Sequence, residues 1–128
     1  MVRQTINRTA TIEFIQTLLS EIASNVYHER VTQGAAFPYI TFNVGPAFSG
    51  DDSEATFTLT VNLWDNKGNN IKNLEQSTDN IIEFLTSRIC NTGDITLWFN
   101  QPFVLSLPDP DENIRRRQIN LNVNYNNV

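Results

Sequence analysis

The sequence predicts an α+β fold: a single domain in the order α-β-β-β-α-β-β-β, with a mixed or antiparallel sheet and two helices packed on one face. Three observations carry this expectation. Two segments repeat apolar residues at helical spacing, two others alternate apolar and polar residues, and no linker divides the 128 residues. A chain of this length sets a prior of one domain and buries roughly two-thirds of its unfolded surface. Residues 1–8 and 126–128 read as loose ends.

The first helix runs from about 9 to 24. Ile12, Ile15, Leu19 and Ile22 form its stripe, with Leu18 beside them and Phe14 at the edge. Thr9 or Thr11 offers a capping oxygen, and Asn25 a stop. Residues 26–31 are short and β-prone. Tyr39, Ile40, Phe42 and Val44 make the next strand, and Pro38, which has no amide hydrogen, belongs at its start or on an edge. Residues 45–53 hold two Gly, a Pro and two adjacent Asp, so they read as a loop in which Phe48 is the odd aromatic. Over 54–64, Ala55, Phe57, Leu59, Val61 and Leu63 alternate with Thr56, Thr58, Thr60 and Asn62, which gives a strand one buried and one polar face.

A turn over 65–69 leads to the second helix, capped by Asn69 or Asn70. Ile71, Leu74, Thr78, Ile81, Leu85 and Ile89 share its face. Two strands follow at 95–99 and 103–107, separated by Asn100-Gln101-Pro102. Residues 108–113 form an acidic, Pro-rich loop. In the last strand, 115–125, Ile119, Leu121, Val123 and Tyr125 alternate with Asn120, Asn122 and Asn124.

Composition narrows the function. Lys and Arg number 9 against 14 Asp and Glu, a net charge of −5. An acidic chain is poorly suited to coating nucleic acid. No stretch approaches the ~18 apolar residues of a membrane span, and no secretory signal is evident, so an intracellular protein is expected. One cysteine, Cys90, excludes an intrachain disulfide, and one histidine, His28, excludes a histidine pair. His28-Glu29 begins like a zinc-protease helix, but the second ligand position holds Thr32. Asp109, Asp111 and Asn113 have the spacing of a calcium loop. Ile114 replaces its glycine and Asn120 its terminal glutamate. No glycine-rich phosphate loop or nucleophile elbow is present. No cofactor is implied.

Arg115, Arg116 and Arg117 are the only basic cluster, directly after the acidic loop. Self-pairing with that loop is the plain expectation. In a strand, however, Arg116 points opposite to its neighbours, which frees an arginine for a partner's carboxylate or for DNA phosphate. The Thr and Asn faces are uncharged. They suit solvent, a subunit contact, or a channel lining without charge.

Three stretches give the chain a likeness to a known family. The first is Val26-Tyr27-His28-Glu29-Arg30-Val31 through Ala36-Phe37-Pro38-Tyr39-Ile40-Thr41-Phe42. The second is Phe57-Thr58-Leu59-Thr60-Val61-Asn62-Leu63-Trp64-Asp65 with Lys67-Gly68. The third is the alternating ending from Arg117 to Tyr125. In this order and spacing the chain resembles the tail terminator, or tail-to-head joining (tail completion), proteins of long-tailed bacteriophages. The acidic loop and the high asparagine content depart from the family pattern.

The resemblance implies a structural virion protein without a catalytic site. It implies a ring, typically hexameric, that caps the tail tube, ends tube polymerisation and joins the tail to the head connector. The implied partners are further copies of the chain, the tail tube protein and the head-completion or connector protein. DNA passes through without sequence-specific binding, and no membrane is involved. The implied location is the virion neck, reached from the host cytoplasm. Loop position and charge assign Phe48, Asp51, Asp52, Trp64, Asp111, Glu112, Arg115, Arg116 and Arg117 to interfaces. Two other functions fit: a portal-side neck adaptor, or a small ligand-binding α+β domain.

Overall fold

Period-two alternation becomes the spine of the sheet. The computed structural model describes residues 8–31, 34, 36–49, 55–91 and 95–127. Its elements are α1 (Arg8–Ser20), β1 (Val26–His28), β2 (Tyr39–Ser49), β3 (Ala55–Asp65), α2 (Lys72–Leu85), β4 (Ile89–Asn91), β5 (Ile95–Phe99), β6 (Phe103–Leu107) and β7 (Arg115–Asn127). The predicted order holds, with β4 as an additional short strand. The strands form one mixed, curled sheet in the order β1-β2-β3-β7-β5-β4, with β6 also on β7. β1 runs parallel to β2 and the remaining pairs are antiparallel.

The core follows from the pairing. β3 and β7 lie side by side, with Phe57 opposite Val123, Leu59 opposite Leu121 and Val61 opposite Ile119. Paired residues share a face, so these side chains form one apolar surface. Ile15, Leu18 and Leu19 of α1 and Leu74, Ile81 and Leu85 of α2 close over it, and all are buried. Both helices therefore cover the same face, and the opposite face stays open. Among the described residues no helix is long and apolar enough to cross a membrane.

Several boundaries differ from the sequence reading. α1 ends at Ser20, and a tight turn in which the Ala23 amide donates to the Leu19 carbonyl carries the chain to Asn25. Asn25 does turn the chain, at φ 56°. Thr11 is no cap: it is fully buried inside the helix. Residues 45–49 are not a loop. β2 continues through a bulge between Val44 and Ala47 to pair Phe48 with Thr56, because the start of β3 offers its backbone partners. Gly45 is suited to that bulge, since a Cβ there would sit 3.1 Å from the Thr58 carbonyl oxygen.

α2 stops at Leu85, four residues before Ile89. Ser87 takes φ 54°, which breaks the helix, and Ile89 starts β4 instead. Ile71, not Asn69 or Asn70, stands at the N-cap, without a side-chain bond. β5 and β6 run in the same direction along the same edge of β7: Phe99 faces Val123 and Phe103 faces Asn120. They are one interrupted strand, with Pro102 in the irregular stretch where a missing amide hydrogen is tolerated. The last strand runs to Asn127, so residues 126 and 127 are paired with β5.

Phe57 is fully buried, whereas Thr58 faces outward. Phe57→Ala is expected to lower the unfolding free energy by about 3–5 kcal/mol and Thr58→Ala by less than about 1 kcal/mol, as read from urea denaturation.

Candidate functional site

The open face of the sheet is the candidate site, because the two helices leave it uncovered. Its centre is a ladder of uncharged cross-strand pairs. The hydroxyls of Thr56, Thr58 and Thr60 donate to the Oδ1 atoms of Asn124, Asn122 and Asn120 at 3.4, 3.3 and 3.0 Å. The Gln118 amide donates to Asn62 Oδ1 at 3.1 Å, and the Asn120 amide to Gln118 Oε1 at 3.1 Å. Asparagine is a poor strand former, yet here each amide is used twice, as a strand residue and as a rung. Each of these hydroxyls has an amide oxygen as acceptor, and the ladder presents no net charge.

An apolar strip borders the ladder. Trp98 lies opposite Asn124, Ile89 opposite Trp98, Phe103 opposite Asn120, and Leu105 opposite Gln118. These four side chains therefore share the open face. Ile89, Trp98 and Phe103 are each more than half exposed, at 60%, 52% and 59%. β6 is also an edge: among the described residues its only strand partner is β7. An exposed apolar edge strand is a template for another chain.

The far end of the face is aromatic and cationic. The rings of Tyr39 and Trp64 lie 6.0 Å apart at 26°, and Phe37 lies 4.9 Å from Tyr39. The Arg116 guanidinium sits 4.7 Å from the centre of the Trp64 ring, in the range of a cation–π contact. Its Nε is buried without a hydrogen-bond partner among the described residues. Burial holds the Tyr39 phenol above its ordinary pKa, and the nearby Asp109 carboxylate adds to the rise.

The predicted self-pairing with the acidic loop is limited to Arg115, which bonds the Glu112 carbonyl, and among the described residues no arginine pairs with a carboxylate of the loop. Register separates the arginines: Arg116 lies opposite Trp64 and Leu107 on the open face, and its neighbours turn the other way. Arg117 pairs with Glu75 of α2, the one ion pair among the described residues. Arg115 donates to the carbonyls of Glu112 and Ile114 and to Asn69 Oδ1. The loop's own acids fix its shape: Asp109 Oδ1 accepts the Asp111 amide and Asp111 Oδ1 the Asn113 amide, each at 2.9 Å. The Gly68 amide ties this loop to the 65–69 turn through the Asn113 carbonyl at 3.0 Å.

Of the other predicted interface residues, Trp64 belongs to the aromatic end of the open face, and Asp111 and Glu112 are exposed on the loop. Phe48 lies in β2 opposite Thr56. Asp51 and Asp52 lie outside the described residues. Trp98, Phe103 and Leu105 are not among the interface residues that the sequence predicts. The available signal was the unbroken apolar run Phe103-Val104-Leu105, because a strand apolar on both faces needs cover on both.

His28 and Cys90 stand on β1 and β4, the opposite ends of the sheet order, so they do not meet. His28 packs on Phe42 with ring centres 5.0 Å apart. Burial is the larger influence on Cys90 and holds its thiol pKa up, against a lowering by Arg88. A crevice of about 240 Å³ lies between the ends of α1 and β3, the start of β2, and α2. Its acidic lining residue, Asp65, accepts the Asn66 amide at 2.8 Å.

No protein-family model matches the chain, and no curated protein matches it. Sixteen chains of known structure are similar to it. One of them shares 13% sequence identity at a TM-score of 0.68, over 97% of each chain. At that identity the likeness shows the fold alone.

Two outcomes test this geometry. Asn120→Ala strands the half-buried Thr60 hydroxyl and is expected to cost about 1 kcal/mol in denaturant unfolding. The double change Thr60→Val with Asn120→Leu removes both polar partners together and is expected to recover most of that loss. Asp109→Asn is expected to lower the Tyr39 pKa part of the way to its ordinary value, because burial, the larger cause, remains. Ultraviolet titration of the phenol reads the shift, and an unchanged titration would place Asp109 away from the ring.

Proposed function

We propose that this chain is a structural virion protein of a long-tailed bacteriophage, which forms a ring that caps the tail tube, ends tube polymerisation and joins the tail to the head connector. One observation carries the reading: the open face is an uncharged ladder bordered by exposed apolar side chains, among them those of β6, an edge strand paired on one side. Such a surface is built to meet polypeptide. The three stretches that resemble tail terminator proteins supply the identity of that polypeptide.

The mechanism is assembly. A ring closes when one patch of each copy meets a different patch of the next. Copies of the chain form the ring, the tube protein meets one of its surfaces, and the connector protein meets the other. An acidic ring repels phosphate and leaves DNA free to pass without sequence-specific contact.

Light scattering after size separation, with and without purified tail tubes, tests the reading. Wild-type chain is expected to form a ring alone or on the tube end. Phe103→Asp with Leu105→Asp is expected to keep the fold, because both side chains are exposed, and to weaken association at least about tenfold. A compact monomer that ignores the tubes would remove the proposal.

A further inference from the structure

We infer that Arg116 is a docking point for the acidic loop of a second copy, and that Glu112 supplies the carboxylate. The inference rests on the self-assembly part of the reading above and adds the contact that orients the copies.

Among the described arginines, Arg30 and Arg116 have no side-chain hydrogen bond or ion pair, and of these two Arg30 is exposed whereas Arg116 has a buried Nε. Arg117 has Glu75, Arg115 has two carbonyls and Asn69, Arg88 donates to the Phe84 carbonyl, and Arg8 reaches the Val44 and Gly45 carbonyls. The Arg116 guanidinium makes no hydrogen bond and no ion pair among the described residues, and its Nε is buried. A guanidinium carries five donors in a rigid fork. Here the fork lies over the Trp64 ring, 4.7 Å from its centre, and Trp64 is itself held by stacking on Tyr39 and by its Nε1, which donates to Thr41 Oγ1 at 3.5 Å. The side chain is thus ordered before any anion arrives, and less freedom is lost on binding. What it lacks is a planar anion such as a carboxylate.

The chain carries the complement. Residues 108–113 display Asp109, Asp111 and Glu112, none of which pairs with a cation among the described residues. Asp109 and Asp111 each commit one oxygen to the turn. Glu112 is exposed, and among the described residues no hydrogen bond holds its carboxylate. Both of its oxygens are therefore available for a two-point contact. Within one chain the pair is not made: Arg116 stays on Trp64, and Arg115 occupies the Glu112 carbonyl. Charge complementarity between copies satisfies both groups and fixes orientation, which the uncharged ladder and apolar strip do not.

The test is a charge exchange in the full chain, read as the self-association constant by light scattering and sedimentation. Arg116→Glu and Glu112→Arg are each expected to weaken association by at least about tenfold, and the double variant is expected to return it to within about threefold of wild type. Glu112→Arg leaves both turn bonds in place, so it serves as the fold-neutral arm if Arg116→Glu does not fold. Wild-type association that neither single change affects would overturn this contact and leave the ring reading standing. Failure of the double variant to recover would overturn the pairing. Loss of duplex DNA binding by Arg116→Glu, with association unchanged, would assign the guanidinium to phosphate instead. A wild type that is monomeric at every concentration, both alone and with purified tail tubes, would overturn both proposals.

Discussion

Eleven consecutive residue pairs join β3 to β7, from Ala55 and Tyr125 to Asp65 and Arg115, and the rest of the molecule depends on their register. In that register Ala55, Phe57, Leu59 and Val61 meet Tyr125, Val123, Leu121 and Ile119 on the helix side, and Leu63 and Asp65 meet Arg117 and Arg115. Every Thr meets an Asn on the open side. A slip by one residue would put Phe57 opposite Asn122 or Asn124 and expose both apolar rows at once. The ladder and the core are two sides of the same constraint, and neither forms without the other.

This constraint decides what the remaining elements must do. The helix side is closed by α1 and α2, whose buried stripes belong to the same core as β3 and β7. Among the described residues no helix covers the open side, and the hydroxyls at its centre already have acceptors across the strands. β6 departs from that arrangement. It adds to the other edge of β7 and brings Phe103 and Leu105 to the open face, and neither helix covers Val104 on the other side. A strand that is apolar on both sides and paired on one edge has unmet demands in three directions. That imbalance, more than any pocket or polar cluster, sets the direction of a functional reading toward assembly.

The fold was legible wherever local pattern and long-range pairing agree. β3 and β7 alternate without interruption, and both helices show their stripes. The misreadings fall where pairing overrides local signals. Gly45-Pro46 looks like a turn, yet β3 has unpaired backbone at its start, and a bulge is cheaper than leaving it unpaired. Ile89 continues the helical spacing of Ile81 and Leu85, but Ser87 turns the chain first, and Ile89 lands on the open face beside Trp98. Of the candidate site, the Thr and Asn rows were visible and their pairing was not, because register is a property of two distant segments. The arginine cluster shows the same limit. Nearness in sequence favours pairing with the adjacent acids, while strand alternation sends Arg116 to Trp64 and Arg117 to α2.

The distribution of charge on the open face then has a physical sense. A charged ladder would need counter-charges in every partner and would weaken in salt. An uncharged ladder can be covered at less desolvation cost than a charged one, because its hydroxyls already donate to amide oxygens across the strands. The price is specificity, since polar rungs and apolar strips accept many neighbours and many offsets. Placing one ordered cation at a single end of the face restores direction, as a misplaced partner would leave the Arg116 guanidinium covered and unpaired. Affinity can thus come from the broad uncharged surface and orientation from one guanidinium, a division of roles that requires the charge to be scarce and the side chain that carries it to be held still.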